Sequence, residues 1–369
     1  MSKGRVLMAM SGGIDSSIAA IMLHNEGYEV IGITMKTWDY ALSGNTKKET
    51  GCCNLDTIND ARAVAVSLGF PHYILDLKEE FYNSIVKNFI SEYLSGFTPN
   101  PCVLCNALIK WKALLKRADA LGCDFIATGH YAKIRFENER YILSCGEDVT
   151  KDQSYVLWQL SQENLKRTLF PLGGLTKDKV KKMAVELGFD NLAKKKESYE
   201  ICFIPDDDYR SFLRHNVPDI DDKIGQGNFV DVEGKILGRH KGFPFYTIGQ
   251  RKGLDIAMGY PLFVKEINAE TNTIILGKKE DLNESSMLIA GVNLIKYDVI
   301  PDQGLEALIK IRYKDKGAIG NLFYENDNTY RVVFKDKVTA ITPGQSAVFY
   351  DGNDVIGGGI IKKIVHNQV

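Results

Sequence analysis

Three thiols and one glycine-rich loop carry the chemistry that this sequence can do. Ser11-Gly12-Gly13-Ile14-Asp15-Ser16 stands between the apolar run Arg5 to Met10 and a helical pattern. Glycines there let backbone N–H groups approach a ligand. The helix start adds unsatisfied donors and partial positive charge, a combination that suits phosphate. The hydroxyls of Ser11, Ser16 and Ser17 can donate to phosphate oxygens, while Asp15 is suited to a Mg²⁺ ion that bridges them. The loop lacks the lysine of a Walker loop. The plain alternative is a tight turn capped by Ser or Asp.

The second group is Thr98-Pro99-Asn100-Pro101-Cys102-Val103-Leu104-Cys105-Asn106. Two prolines stiffen the entry to a helix, and cysteines three residues apart at its start can face one site. The helix dipole there is expected to lower a thiol pKa. A single C-x-x-C with no second pair and no spaced histidines makes a poor zinc site. Two inert buried thiols are the alternative. The third group is Glu200-Ile201-Cys202-Phe203-Ile204, where a lone cysteine in an apolar run reads by itself as core packing.

These groups need a scaffold. Arg5–Met10, Val30–Thr34, His72–Leu77 and Asp124–Thr128 read as strands, with helices at Ser16–Glu26, Thr57–Leu68, Phe81–Ser95 and Ala107–Leu121. This alternation predicts a doubly wound, mostly parallel sheet with helices on both faces. After Cys202 the texture changes to glycine-rich loops, predicting a small central α+β domain. From about residue 285 short alternating strands, with Asp351-Gly352 as a hairpin turn, predict an antiparallel β-barrel. The expected boundaries are 1–210, 211–280 and 281–369.

Lys plus Arg is 46 against 47 for Asp plus Glu in 369 residues. A uniformly basic nucleic-acid coat is therefore excluded, and any RNA contact must be a local patch. No apolar run reaches the roughly 18 residues of a membrane helix, and the short apolar N-terminal stretch reads as a strand, not a signal peptide. Seven sparse cysteines argue against a disulfide framework and for a reducing cytoplasm.

SGGIDS, TPNPCVLCN, ATGHYAK, KDQSYVLW, EICFIP and YTIGQRKGL occur in the order found in tRNA-specific 2-thiouridylases, and the chain resembles that family from about Val6 to its end. The glycine-rich loop resembles the PP-loop of enzymes that split ATP between its α and β phosphates, in an adenine nucleotide alpha hydrolase-like fold. The resemblance implies ATP-driven sulfur transfer to position 2 of the wobble uridine in tRNA, the Lys, Glu and Gln tRNAs being the expected substrates. It implies that Ala9, Met10, Ser11, Gly12, Gly13, Ile14, Asp15, Ser16, Met35 and Gly129 bind ATP with Mg²⁺. Cys202 would carry a persulfide supplied by a donor protein, and Cys105 would be the second catalytic thiol, either resolving the persulfide as a disulfide after it attacks directly or first releasing hydrosulfide, which then attacks. Asn100, Pro101, Cys102, His130, Lys151, Asp152, Gln153, Arg312, Tyr313 and Gln345 would contact tRNA.

One departure matters. Many members of the family carry Asp where this chain has Cys102. The trio Cys102, Cys105 and Cys202 would suit a [4Fe–4S] cluster that binds the attacking sulfide, an alternative to the persulfide route. A PP-loop amidotransferase or synthetase adenylating a small-molecule carbonyl is the other enzymatic alternative, and a non-catalytic RNA-binding scaffold the third. Lys177, Lys179, Lys181 and Lys182 read as a phosphate-facing edge or a solvated helix face, and Lys194-Lys195-Lys196 as a guide for RNA or a means of ordering a mobile loop. Cys52 and Cys53, after the polar segment Ser43 to Thr50, read as structural, and Cys123 and Cys145 as core.

Overall fold

The computed structural model describes residues 2–38, 55–194, 201–204 and 208–365. The Cys52–Cys53 pair, the segment before it, and Lys195, Lys196 and Glu200 lie outside the described residues. The chain divides into two compact units, one of Met1–Val86, Pro101–Asp208 and Asn353–Val355, the other of Lys87–Asn100, Tyr209–Gly352 and Ile356–Val369.

The first unit is built on five parallel strands: β1 (Arg5–Ala9), β2 (Glu29–Lys36), β3 (His72–Asp76), β4 (Phe125–Ala127) and, after a hairpin of β5 (Ala132–Glu137) and β6 (Arg140–Cys145), the short β7 (Thr168–Leu169). Their order is β3-β2-β1-β4-β7, so the winding reverses between β1 and β4. At such a switch point the loops leaving two neighbouring strands part, opening a crevice for a ligand. Val6, Leu7 and Met8 of β1 are buried on both faces, which is why its sequence is a continuous apolar run. Helix α1 (Ile14–Asn25) packs Ile18, Ile21 and Leu23 into the same core as Val64 of helix α2 (Leu55–Leu68).

The β5–β6 hairpin has no counterpart in the sequence reading. Its turn residues Asn138 and Glu139 both take positive φ, 50° and 61°, the geometry of a two-residue hairpin turn usually signalled by glycine. Two helices also run differently from expectation. One starts at Lys78 and passes through a wider, π-helical turn at Tyr82–Val86; the other starts at Pro101 and is π-helical from Cys105 to Trp111. Proline suits the first helical position because its missing N–H has no partner there. SYVLWQL forms a 3₁₀ turn at Ser154–Leu157, and a new helix capped by Ser161 begins directly after it.

In the second unit β8 (Gly227–Val230), β9 (Ile236–His240), β10 (Phe263–Asn268) and β11 (Thr273–Gly277) form a sheet in the order β10-β11-β8-β9. The helix Tyr209–Asn216 belongs to this unit. The barrel strands are β12 (Asn283–Leu294), β13 (Leu305–Lys310), β14 (Ala318–Asn326), β15 (Thr329–Thr339), β16 (Ser346–Asp351) and β17 (Asp354–Ile364). They run β12-β15-β14-β13-β16-β17, and pairing of β12 with β17 closes the barrel. Closure removes the exposed edges that an open antiparallel sheet would carry. Met287, Ile309, Val332, Phe349 and Ile361 fill the interior.

Candidate active site

The loop after β1 sits at the switch point with its glycines under steric demand. Gly12 has φ +70°, and a Cβ on it would lie 1.9 Å from the Thr57 carbonyl oxygen. Gly129, in the loop after β4, approaches so closely that a Cβ would lie 2.8 Å from the Ser16 nitrogen. Gly13 is the N-cap of α1 and provides no side-chain cap, so the first N–H groups of the helix are not taken by one. Ser11 is exposed, whereas Ser16 is buried and spends its hydroxyl inside the loop. It donates to the Gly13 carbonyl (3.2 Å) and accepts from the Ser11 N–H (3.1 Å). Ser17 is fully buried. Ala9, Met10 and Ile14 are the apolar frame of this loop, and Met35 lies half-buried at the end of β2.

Asp15 is the charged centre of the loop. Both of its oxygens lie 2.7 Å from the Lys177 ammonium, and Oδ1 also accepts from the Tyr131 hydroxyl at 2.7 Å. Two carboxylate oxygens offer about four lone-pair directions, so one remains for a metal ion, and the residues fit Mg²⁺. Lys177 corrects the sequence reading: it is buried, 5% exposed, and not part of an RNA-facing edge. Lys179, Lys181 and Lys182 are exposed on the same helix.

The two catalytic candidates Cys105 and Cys202 belong to the same unit, and no disulfide involves either. Their segments meet a common neighbour. The Phe203 ring, next to Cys202, packs against Phe81 (5.5 Å between centroids) and Trp38 (6.0 Å). The Lys78–Phe81 helix packs in turn on Cys105–Trp111, and the Tyr82–Val86 turn packs on Pro101–Leu104. Cys202 is exposed and Cys105 half-buried. Asn106, beside Cys105, donates from Nδ2 to the Val156 carbonyl (2.9 Å) and leaves a buried Oδ1 without a partner.

Cys102 departs from expectation. Its side chain is exposed, yet desolvation by the surrounding protein pushes its thiol above the ordinary range, and the positive charge of Lys110 only partly opposes this. Among the described residues no three His, Cys, Asp or Glu side chains are grouped to hold a metal ion, so Cys102, Cys105 and Cys202 do not form such a set.

The remaining candidates are bound into the scaffold to different degrees. His130 is buried between Trp111 and Phe170, with Nδ1 2.7 Å from the Thr128 hydroxyl. Burial holds its pKa well below the usual range, so the ring is neutral. Asp152 accepts from Gly146 and Ser154, and Gln153 exchanges hydrogen bonds with the Tyr131 backbone. Lys151 is half-exposed. In the second unit the Gln345 amide donates to the Thr98 and Pro99 carbonyls, bolting down the stretch that ends at Asn100. Pro101 is buried, while Arg312 and Tyr313 are exposed. Sequence reasoning missed the partners of Asp15 and the Phe81–Phe203 contact, because neither has a local signal.

Three family models match consecutive segments. A tRNA methyl transferase HUP domain covers residues 4–206, a tRNA methyl transferase PRC-barrel domain 210–278, and an aminomethyltransferase β-barrel domain 286–361. A tRNA-specific 2-thiouridylase of Cytophaga hutchinsonii is 57% identical over 98% of this chain and 98% of its own. The chain belongs to the tRNA-specific 2-thiouridylase family. Other members of the family are the 2-thiouridylases of Amoebophilus asiaticus, 57% identical over 98% of this chain and 96% of that one, and of Salinibacter ruber, 52% identical over 98% and 95%. The match spans the loop, both candidate thiols and the barrel together.

Proposed function

We propose that this chain uses ATP to transfer sulfur to position 2 of the wobble uridine in tRNA. The observation that carries the reading is the joint presence, in one unit, of a glycine-rich loop at the sheet's switch point and two thiols whose segments pack on Lys78–Val86. Thiolation needs both parts. A uracil carbonyl oxygen is a poor leaving group, so it must first be activated. O2 of the uridine attacks the α-phosphorus of ATP, and pyrophosphate leaves. Mg²⁺, when bound through Asp15, supplies charge neutralisation on the phosphates.

The terminal sulfur of a persulfide on Cys202 attacks C2, and AMP departs with the former O2. The Cys105 thiolate attacks Cys202 Sγ, so that the S–S bond breaks toward the transferred sulfur and a Cys105–Cys202 disulfide forms. An external dithiol reduces that disulfide, and a donor protein reloads Cys202. Cys202 is exposed, which suits reloading by a protein partner. The wobble base must be flipped out to reach the thiols. Arg312 and Tyr313 offer a guanidinium and a ring to the RNA, Asn100, Pro101, Cys102 and His130 are further candidates for RNA contact, and Lys151 adds local charge.

The substrates are the Lys, Glu and Gln tRNAs, and the reaction belongs in the cytoplasm, where ATP and tRNA meet. No described helix is long and apolar enough to cross a membrane. The test is a thiolation assay on anticodon-bearing tRNA after anaerobic purification. Cys105→Ser and Cys202→Ser are each expected to be inactive, with pyrophosphate release preserved and little iron present. Stoichiometric iron lost together with activity would shift the reading to a cluster. Activity retained in the double Ser variant would shift it to an amidotransferase.

A further inference from the structure

The loop Ser11-Gly12-Gly13-Ile14-Asp15-Ser16-Ser17 contains no lysine. Backbone N–H groups and hydroxyls alone must then face the charge of a triphosphate, and a single Mg²⁺ neutralises only part of it. The fold returns a cation to the loop from 162 residues away. The Lys177 ammonium lies 2.7 Å from both oxygens of Asp15, and its side chain is 6% exposed.

Helix stability does not explain that placement. Lys177 is the first residue of the helix Lys177–Glu186, where the macrodipole disfavours positive charge. Its backbone N–H is fixed by Asp148 Oδ2 at 2.9 Å. The preceding Thr176 caps the helix by accepting from the Lys179 N–H. With the backbone so anchored, the side chain runs back to the loop and crosses the Tyr131 ring at 5.8 Å from its centroid. A buried ion pair gains little over an apolar pair of similar volume, so a purely structural strut could be built without either charge.

We propose that Lys177 is a phosphate-binding residue of the ATP site, taking in space the place of the lysine that the loop lacks in sequence. It orients the Asp15 carboxylate and neutralises charge on the pyrophosphate portion of ATP. This rests on the reading of the loop as an ATP site.

The test compares binding of ATP, inorganic pyrophosphate and adenosine by calorimetry. In Lys177→Met, ATP and pyrophosphate should weaken roughly 10- to 100-fold, the span of one charge-assisted hydrogen bond, while adenosine binds unchanged. Lys177→Arg should recover part of the loss. Unchanged ATP affinity in Lys177→Met, or ATP and adenosine falling together, would overturn the proposal, the second outcome marking a strut. Should Lys177→Met fail to fold because Asp15 is left uncompensated, Asp15→Asn is compared with Asp15→Asn plus Lys177→Met, which leaves neither charge. The double variant should bind pyrophosphate more weakly by a similar factor, and equal binding would sink the idea. Failure of the unaltered chain to bind ATP would instead remove the ATP reading, and the proposal with it.

Discussion

Phe203 meets Phe81 edge to face, with ring centroids 5.5 Å apart and planes at 74°. Both rings are fully buried. The contact ties the residue after Cys202 to the segment that also supports Cys105. Edge-to-face pairs of this kind add stabilisation beyond the apolar area they bury. They also fix orientation, and the proposed exchange between Cys105 and Cys202 depends on orientation.

Phe203→Ala should therefore act on sulfur transfer through geometry. We expect a stability loss of about 3 to 5 kcal/mol from the vacated volume, read from denaturant melts. Thiolation should fall, with ATP binding intact. Unimpaired thiolation in a folded Phe203→Ala protein would show that the Phe81 contact does not position Cys202.

Gly12 and Gly13 should respond differently to the same methyl group. Gly12→Ala places Cβ 1.9 Å from a backbone carbonyl at φ +70°, a conformation that costs alanine further. Nucleotide binding and melting temperature should both drop. At Gly13 the nearest atom to a new Cβ is the Ser11 hydroxyl, 3.4 Å away, so Gly13→Ala should melt close to the unaltered chain. Equal melting of the two variants would contradict the close approach of Thr57.

Cys102 should be a slow nucleophile at neutral pH although its side chain is exposed. Desolvation by the protein around the sulfur raises its thiol pKa above the ordinary 9.0, so the thiolate fraction at pH 7 is small. Alkylation by iodoacetamide, followed by mass spectrometry from pH 6 to 10, should show Cys102 labelling only as the pH climbs toward and past 9. Fast labelling at pH 7 would mean that the helix start and Lys110 outweigh desolvation.

His240 should make the second unit acid-sensitive. Its ring packs against Phe229 and Tyr246, and burial lowers its pKa from 6.5 to about 4. The neutral ring is thus favoured in the folded state. Its stabilisation is complete above about 6.5, the ordinary value, and is lost as pH falls toward 4. The difference amounts to about 3 kcal/mol across that window. His240→Gln should flatten the decline of melting temperature between pH 6.5 and 4, and an unchanged decline would assign it to other groups.

The barrel and the parallel sheet were legible because their signals are local. Continuous apolar runs mark strands buried on both faces, and alternation with Asp351-Gly352 marks a hairpin. The β5–β6 hairpin escaped because Asn138 and Glu139 adopt a turn normally advertised by glycine. The early helix start at Pro101 and the wider turn from Cys105 escaped because helical periodicity does not distinguish an α turn from a π turn.

The sequence by itself determined the chemistry on offer: a glycine-rich loop, two thiols, and no lysine within the loop. Only tertiary structure decided which distant groups serve that loop. Lys177 reads locally as one of several lysines on a polar helix, yet packing buries it against Asp15. Gln345, which the resemblance marks as a tRNA contact, fastens the Thr98–Asn100 stretch through its amide. The physical reason is common to both: a local pattern specifies which face of an element is apolar, while the partner of a buried charge or amide depends on where the chain returns in space.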